Sequence, residues 1–236
     1  MTNPVTLRNV EHQHLRVISE HGARYGDAVM FAITFPSEFR DVQANYPIVF
    51  RKTDDGLGFE PVALFGFQEG ENLFLGPNSW DANYVPLAVR RQPFLIGVDG
   101  GQVSVGIDLD SPRVSATEGE PLFLDNGSAS AYLERASSML LAIHEGMQAG
   151  AGFMAALVEH ELLESFALDV ELVDGSQGRM MGFYAIHEEN LGALPGAALE
   201  RLQRAGHLQA MYMAVASLVN LRDLVARKNR AVSSTI

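Results

Sequence analysis

The chain sets short apolar runs between turn residues over its first half and shifts to a three-to-four-residue apolar spacing over much of its second. Residues 15–18 and 28–34 carry branched and aromatic side chains between polar punctuation, the pattern of strands. Residues 46–52 and 59–67 flank Thr53-Asp54-Asp55-Gly56-Leu57-Gly58, and the Asp55-Gly56 pair predicts a hairpin because such pairs tolerate positive φ at the tip. Residues 93–98 and 102–107 flank Asp99-Gly100-Gly101 and predict a second hairpin. Pro86 and Pro93 place their segments at the start of a strand or along a sheet edge, since proline cannot donate to a ladder. Residues 37–44, behind Pro36, predict a short helix.

Residues 108–127 are rich in Asp, Glu, Gly and Pro and read as a connector, ordered in part by Val114 and Leu122-Phe123-Leu124. Ser128 or Ser130 can then cap a helix running to about residue 147, with Met139, Leu140, Ile143 and Met147 on one face. Gly146, Gly150 and Gly152 predict an interruption before a second helix over residues 153–166. Residues 167–173 and 179–186 predict a third hairpin. Residues 188–191 predict a single helical turn, and Pro195 suits the first turn of a helix through residue 205. After a break at Gly206, a last helix covers residues 208–228. Its buried stripe reads Leu208, Met211, Tyr212, Val215, Leu218, Val219 and Leu224. Strands followed mostly by helices predict an α+β fold, an antiparallel β-rich N-terminal part packed with a C-terminal helical part that contains a β-hairpin. The expected organisation is a single domain over residues 1–236, β-rich to about residue 107 and mainly helical over residues 128–230.

Composition narrows the function classes. A chain of 236 residues, 47% hydrophobic and 19% charged, can bury a core without covalent staples. The absence of cysteine excludes disulfides, thiolate metal sites and a cysteine nucleophile, and it fits a reducing cytoplasm. A net charge of −12 repels phosphate backbones and argues against nucleic acid as a partner. Arg222, Arg227, Lys228 and Arg230 near the C-terminus read as a solvated helix end rather than a binding patch. Residues 1–30 show no secretory pattern, and no run approaches the roughly 18 apolar residues of a membrane span, so a cytoplasmic location without a transmembrane segment is expected.

Family resemblance enters through three blocks. The first is Tyr46-Pro47-Ile48-Val49-Phe50-Arg51-Lys52 with Ala63-Leu64-Phe65-Gly66, Glu71-Asn72-Leu73-Phe74-Leu75, Trp80, Tyr84-Val85-Pro86 and Arg90-Arg91-Gln92-Pro93-Phe94. The second is Gly182-Phe183-Tyr184-Ala185-Ile186-His187-Glu188. The third sets Leu199, Leu202, Gly206 and Leu208 ahead of a helix rich in Met, Ala and Leu. Together these resemble the SapC family of bacterial proteins, named after an S-layer-associated protein and distinct from the peptide-transporter permease of the same name. No enzymatic reaction is established for the family as a whole. SapC-like proteins are associated in bacterial genomes with outer-membrane receptor, cupin-like oxygenase and flavin-halogenase-like genes. The resemblance therefore implies a role around cell-surface or nutrient-uptake components.

The residues themselves offer one candidate site. Arg90 and Arg91 lie close in sequence to Trp80, Tyr84 and Phe94, where guanidinium groups can clamp a carboxylate or phosphate and stack on rings. Such a patch in an acidic chain points to a protein partner, an anionic peptide or a small anionic ligand. The competing reading puts the rings in the core, with the arginines snorkelling to salt bridges. His160-Glu161-Leu162-Leu163-Glu164 invites a metal reading, since His160 and Glu164 would share a helical face, but the second histidine of a zinc helix is missing. His144-Glu145 and His187-Glu188 are further pairs of this kind. No nucleophile elbow, P-loop or dinucleotide fingerprint is present. The expectation is a non-catalytic binding or accessory protein with no cofactor, no metal and no catalytic residue. The alternatives are a metal- or oxygen-dependent enzyme using His and Glu ligands, and a surface-layer structural component.

Overall fold

The computed structural model describes residues 3–99, 102–173, 175 and 177–233. The expected turn residues Gly100, Gly101, Asp174 and Ser176 lie outside them. In chain order the elements are β1 (Pro4–Thr6), α1 (Asn9–His12), β2 (Arg16–Val17), β3 (Phe31–Ile33), α2 (Phe39–Val42), β4 (Ile48–Lys52), β5 (Phe59–Leu64), α3 (Leu87–Arg90), β6 (Phe94–Asp99), β7 (Gln102–Asp108), β8 (Val114–Ser115), β9 (Glu120–Pro121), α4 (Ala131–Glu159), β10 (Leu163–Glu171), β11 (Gln177–Ile186), α5 (Glu188–Gly192), α6 (Gly196–Arg204), α7 (His207–Ser217) and α8 (Leu221–Ser233). All pairings between these strands are antiparallel, and the fold is α+β. Two compact units share the chain. One is Met1–Asp27, Leu75–Trp80 and Leu87–Glu145, and the other is Ala28–Phe74, Asp81–Pro86 and Gly146–Ile236.

The first unit carries two three-stranded sheets, in the orders β1-β7-β6 and β8-β2-β9. Its core gathers Val17, Phe94, Ile107, Leu122, Leu133, Ala136 and Leu140. Each large apolar side chain so buried stabilises the fold by roughly 1.5–3 kcal/mol. The segment read as a connector is part of this unit. Residues 114–115 and 120–121 flank β2 on both sides, Leu122 is fully buried, and Arg113 is buried with it. Its many polar residues misled because its strands are only two residues long, too short to alternate. Ser130 begins α4: its Oγ accepts the Leu133 N–H at 3.2 Å, as the sequence predicts for an N-cap. Pro93 leads into the edge strand β6, as expected. Pro86 instead precedes the helical turn α3, a position where its missing N–H costs nothing.

The second unit is built on the sheet β10-β11-β4-β5-β3. The Asp55-Gly56 hairpin is present, with Gly56 at φ 71° and the Thr53 N–H bonded to the Gly58 carbonyl at 3.0 Å. Aromatic rings fill the core. Tyr46 lies 5.2 Å from Phe65 and 4.7 Å from Phe74 between ring centroids, and Phe39 meets Phe153 edge-on at 5.8 Å.

Four expectations change here. Helix α4 runs without interruption through Gly146, Gly150 and Gly152. The reason is close packing: a Cβ on Gly146 would lie 2.3 Å from the Phe35 ring, so this helix needs a residue without a side chain there. Residues 163–166, read as helix, belong to strand β10. The helix stops where Glu161 turns left-handed at φ 52°, with its carbonyl taken by the Asn190 side-chain amide at 2.9 Å. The last helix is divided into α7 and α8 by a 3₁₀ turn at Leu218–Asn220. Met211 and Leu224 are buried, but Tyr212, next to Met211 on the other side of α7, and Val219, within the 3₁₀ turn, are exposed, so the single continuous stripe does not form. Two of the C-terminal cations, Arg227 and Lys228, are engaged rather than merely solvated. Arg227 pairs with Asp81 and Asp223 and stacks on Phe74, and Lys228 bonds Glu71.

Candidate functional site

Within the first unit a pocket of about 250 Å³ opens beside α3, β6 and the start of α4. Three segments supply its walls. The turn from α3 into β6 is held by the Gln92 N–H on the Val89 carbonyl at 3.1 Å and the Phe94 N–H on the Arg91 carbonyl at 2.7 Å. That turn places Val89, Arg90, Gln92 and Phe94 along the pocket. Helix α4 contributes Tyr132, Arg135, Ala136 and Met139, whose spacing of three, four and seven residues puts them on one face. The third wall is Arg113, with His21 and Glu120 nearby.

Arg113 is anchored from several directions. Its Nη1 donates to the carbonyls of Ile18 and Glu20 at 3.1 and 2.6 Å, and its Nη2 donates to both carboxylate oxygens of Asp27 at 2.7 and 2.6 Å. Asp27 also accepts the Gly22 N–H at 2.9 Å and lies 3.2 Å from His21 Nδ1. Burial acts most strongly on Asp27 and pushes its carboxyl up. The hydrogen bonds from His21, Gly22 and Arg113, with the charge of Arg113, together outweigh it and hold the group below its ordinary value. The Nε of Arg113 is buried and has no hydrogen-bond partner among the described residues. Burial pushes the Tyr132 hydroxyl up, so it stays a neutral donor.

The predicted site residues divide. Arg90 and Phe94 line the pocket, Arg90 exposed and Phe94 buried. Half-buried Trp80 does not line it but packs edge-on against His21, which does, with centroids 5.5 Å apart. Arg91 turns aside: its Nη1 donates to the Phe94 carbonyl at 2.8 Å, and burial lowers its affinity for the proton. Tyr84 belongs to the second unit, where its hydroxyl donates to Glu38 at 2.9 Å and its carbonyl accepts from the Tyr46 hydroxyl. Arg113 and Arg135 were not singled out by the sequence. Arg113 sits in the polar stretch read as connector, and Arg135 is one charge among several on a helix.

Residues 7–224 match the SapC family model. The chain belongs to the SapC family. No curated protein and no solved structure matches it. The SapC-family segment Gly182–Glu188 forms the end of β11 and the start of α5, where His187 Nδ1 accepts the Asn190 N–H at 3.4 Å as a helix cap. The helical His160–Glu164 pairing is overturned in this SapC-family chain, because His160 stands in a turn after α4 and Glu164 on β10. Among the described residues no three His, Asp or Glu side chains converge as a metal site. Among them, too, no helix is long and apolar enough to cross a membrane.

Proposed function

We propose that this SapC-family chain is a non-catalytic binding or accessory protein, acting in the cytoplasm in support of bacterial cell-surface or nutrient-uptake systems, and that its recognition element is the pocket of the first unit. The observation that carries the reading is Arg90, an exposed guanidinium with no ion-pair partner among the described residues, beside a buried aromatic wall in a chain of net charge −12. In this reading Arg90 contacts the partner, Phe94 and Trp80 give the site its stiffness, and Arg91 and Tyr84 serve the fold. The chain works as one domain, because it crosses between the two units at residues 27/28, 74/75, 80/81, 86/87 and 145/146, the last inside α4. Limited proteolysis releasing two separately stable fragments would contradict that. The binding role is tested by affinity capture from the native cell with the wild-type chain and Arg90→Ala, each checked by melting temperature. A partner held by the wild type and lost by a fully folded Arg90→Ala supports the reading; equal capture by both overturns it.

A further inference from the structure

We propose that the pocket of the first unit binds a small amphipathic monocarboxylate, an organic acid whose body is aromatic or a short alkyl chain. This rests on the pocket being the recognition element and names the class of ligand it takes. Size sets the first limit. At about 250 Å³ the pocket is smaller than the roughly 300–1,000 Å³ of sites for drug-sized molecules. It suits a ligand of a single ring or short chain.

Charge sets the second limit. Three guanidinium groups line the pocket, those of Arg90, Arg113 and Arg135. Asp27 neutralises Arg113, and Glu120 on the wall offsets one more. Three positive charges against two negative leave one uncompensated, which matches a monoanion and disfavours a phosphate dianion. The exposed forks of Arg90 and Arg135 have no side-chain partner among the described residues and present the planar donor geometry that carboxylates accept. Arg113 lies deeper, its side chain 3% exposed and its charge met by Asp27.

The remaining walls decide what the carboxylate is attached to. Val89, Phe94, Ala136 and Met139 are apolar, and the Tyr132 ring lies 6.0 Å from that of Phe94. A ligand that is all charge leaves these walls against water. One with an apolar body covers them while its carboxylate faces the arginines. Gln92 and the Tyr132 hydroxyl remain as neutral donors to the second carboxylate oxygen.

The experiment uses the full chain and four probes: benzoate, hexanoate, benzamide and phenyl phosphate. Titrations are followed by calorimetry and by methyl and aromatic NMR shifts. Benzoate or hexanoate should bind saturably, benzamide should not, and phenyl phosphate should bind more weakly than benzoate. Arg90→Gln and Arg135→Gln should each weaken benzoate by about tenfold or more, as removal of one partner of a hydrogen-bonded charge pair does. Arg179→Gln, on a strand of the other unit, should leave it unchanged. Absence of saturable binding by both acids, equal binding of benzamide, tighter binding of phenyl phosphate, or insensitivity to both arginine variants each overturns the proposal. The two readings fail separately. Loss of partner capture in Arg90→Ala together with no acid binding rejects only the ligand class. Acid binding together with unchanged capture rejects only the partner role.

Discussion

The pocket of the first unit holds about 250 Å³ and is lined by three arginines, a glutamate and a tyrosine, whereas a groove in the second unit holds about 630 Å³ and is lined largely by Phe35, Pro36, Phe59, Met147, Met154 and Val158. Two of the groove's polar side chains are already engaged. The Thr34 hydroxyl donates to Glu38 at 2.7 Å, and Glu60 pairs with Arg51 at 2.5 Å. The groove therefore offers area with little direction, while the pocket offers the Arg90 and Arg135 donors, which have no side-chain partner among the described residues, in less than half the space. Recognition needs the second more than the first, because a misplaced apolar contact loses little whereas an unmatched charge or donor loses much.

The comparison breaks most easily at Arg113. Arg113→Met should cost about 3–5 kcal/mol in urea unfolding, because it strands the buried Asp27 carboxylate without its cation. A loss below about 1 kcal/mol would mean that the pair does not hold this wall. The same pair sets the acid limit. Since the Asp27 carboxyl is held below its ordinary value of 3.8, its contribution is complete above that pH and is lost as pH falls through the lower folded-state value. The wild type should therefore lose stability on acidification below about pH 3.8, and Asp27→Asn should flatten that part of the curve. A curve equally steep in both would assign the acid limb to other carboxylates.

The second unit should respond to volume instead of charge. Gly146→Ala drives a methyl into the Phe35 ring and should cost about 1–3 kcal/mol, reduced by the better helix propensity of alanine. An unchanged or raised melting temperature would show that Phe35 moves aside freely. The smallest effect on stability belongs to Arg90→Gln, within about 0.5 kcal/mol, because its exposed head group has no ion-pair partner among the described residues. A larger loss on thermal unfolding would move Arg90 from recognition to structure and erase the contrast between pocket and groove.

Local signals in the sequence were read correctly where a few adjacent residues settle the geometry. Asp55-Gly56 makes its hairpin, Ser130 caps α4, and Gly206, at φ 76°, separates α6 from α7. The two glycines supply positive φ that other residues adopt only at a cost, and Ser130 supplies a hydroxyl acceptor at the helix start. The misreadings share another cause. Gly146 looks like a helix breaker until Phe35, more than a hundred residues away in sequence, is placed against it. Residues 163–166 have a helix-like apolar spacing, yet they form a strand because β11 pairs alongside, with Leu163 opposite Ile186.

Sequence by itself determined the α+β class, the net charge of −12 and the placing of Arg90 four residues from Phe94, and its three blocks carried the resemblance to the SapC family. The class and the charge follow from composition, turn chemistry and short-range periodicity, all of which are read within a few residues, whereas the family rests on the resemblance. Only the tertiary structure brought Arg113 and Arg135 to the same pocket as Arg90, turned Arg91 onto the Phe94 carbonyl, and assigned Tyr84 to the other unit. Those outcomes depend on contacts between residues far apart in the chain, where burial, the supply of acceptors and the direction of each side chain are decided jointly and leave no pattern in the order of the amino acids.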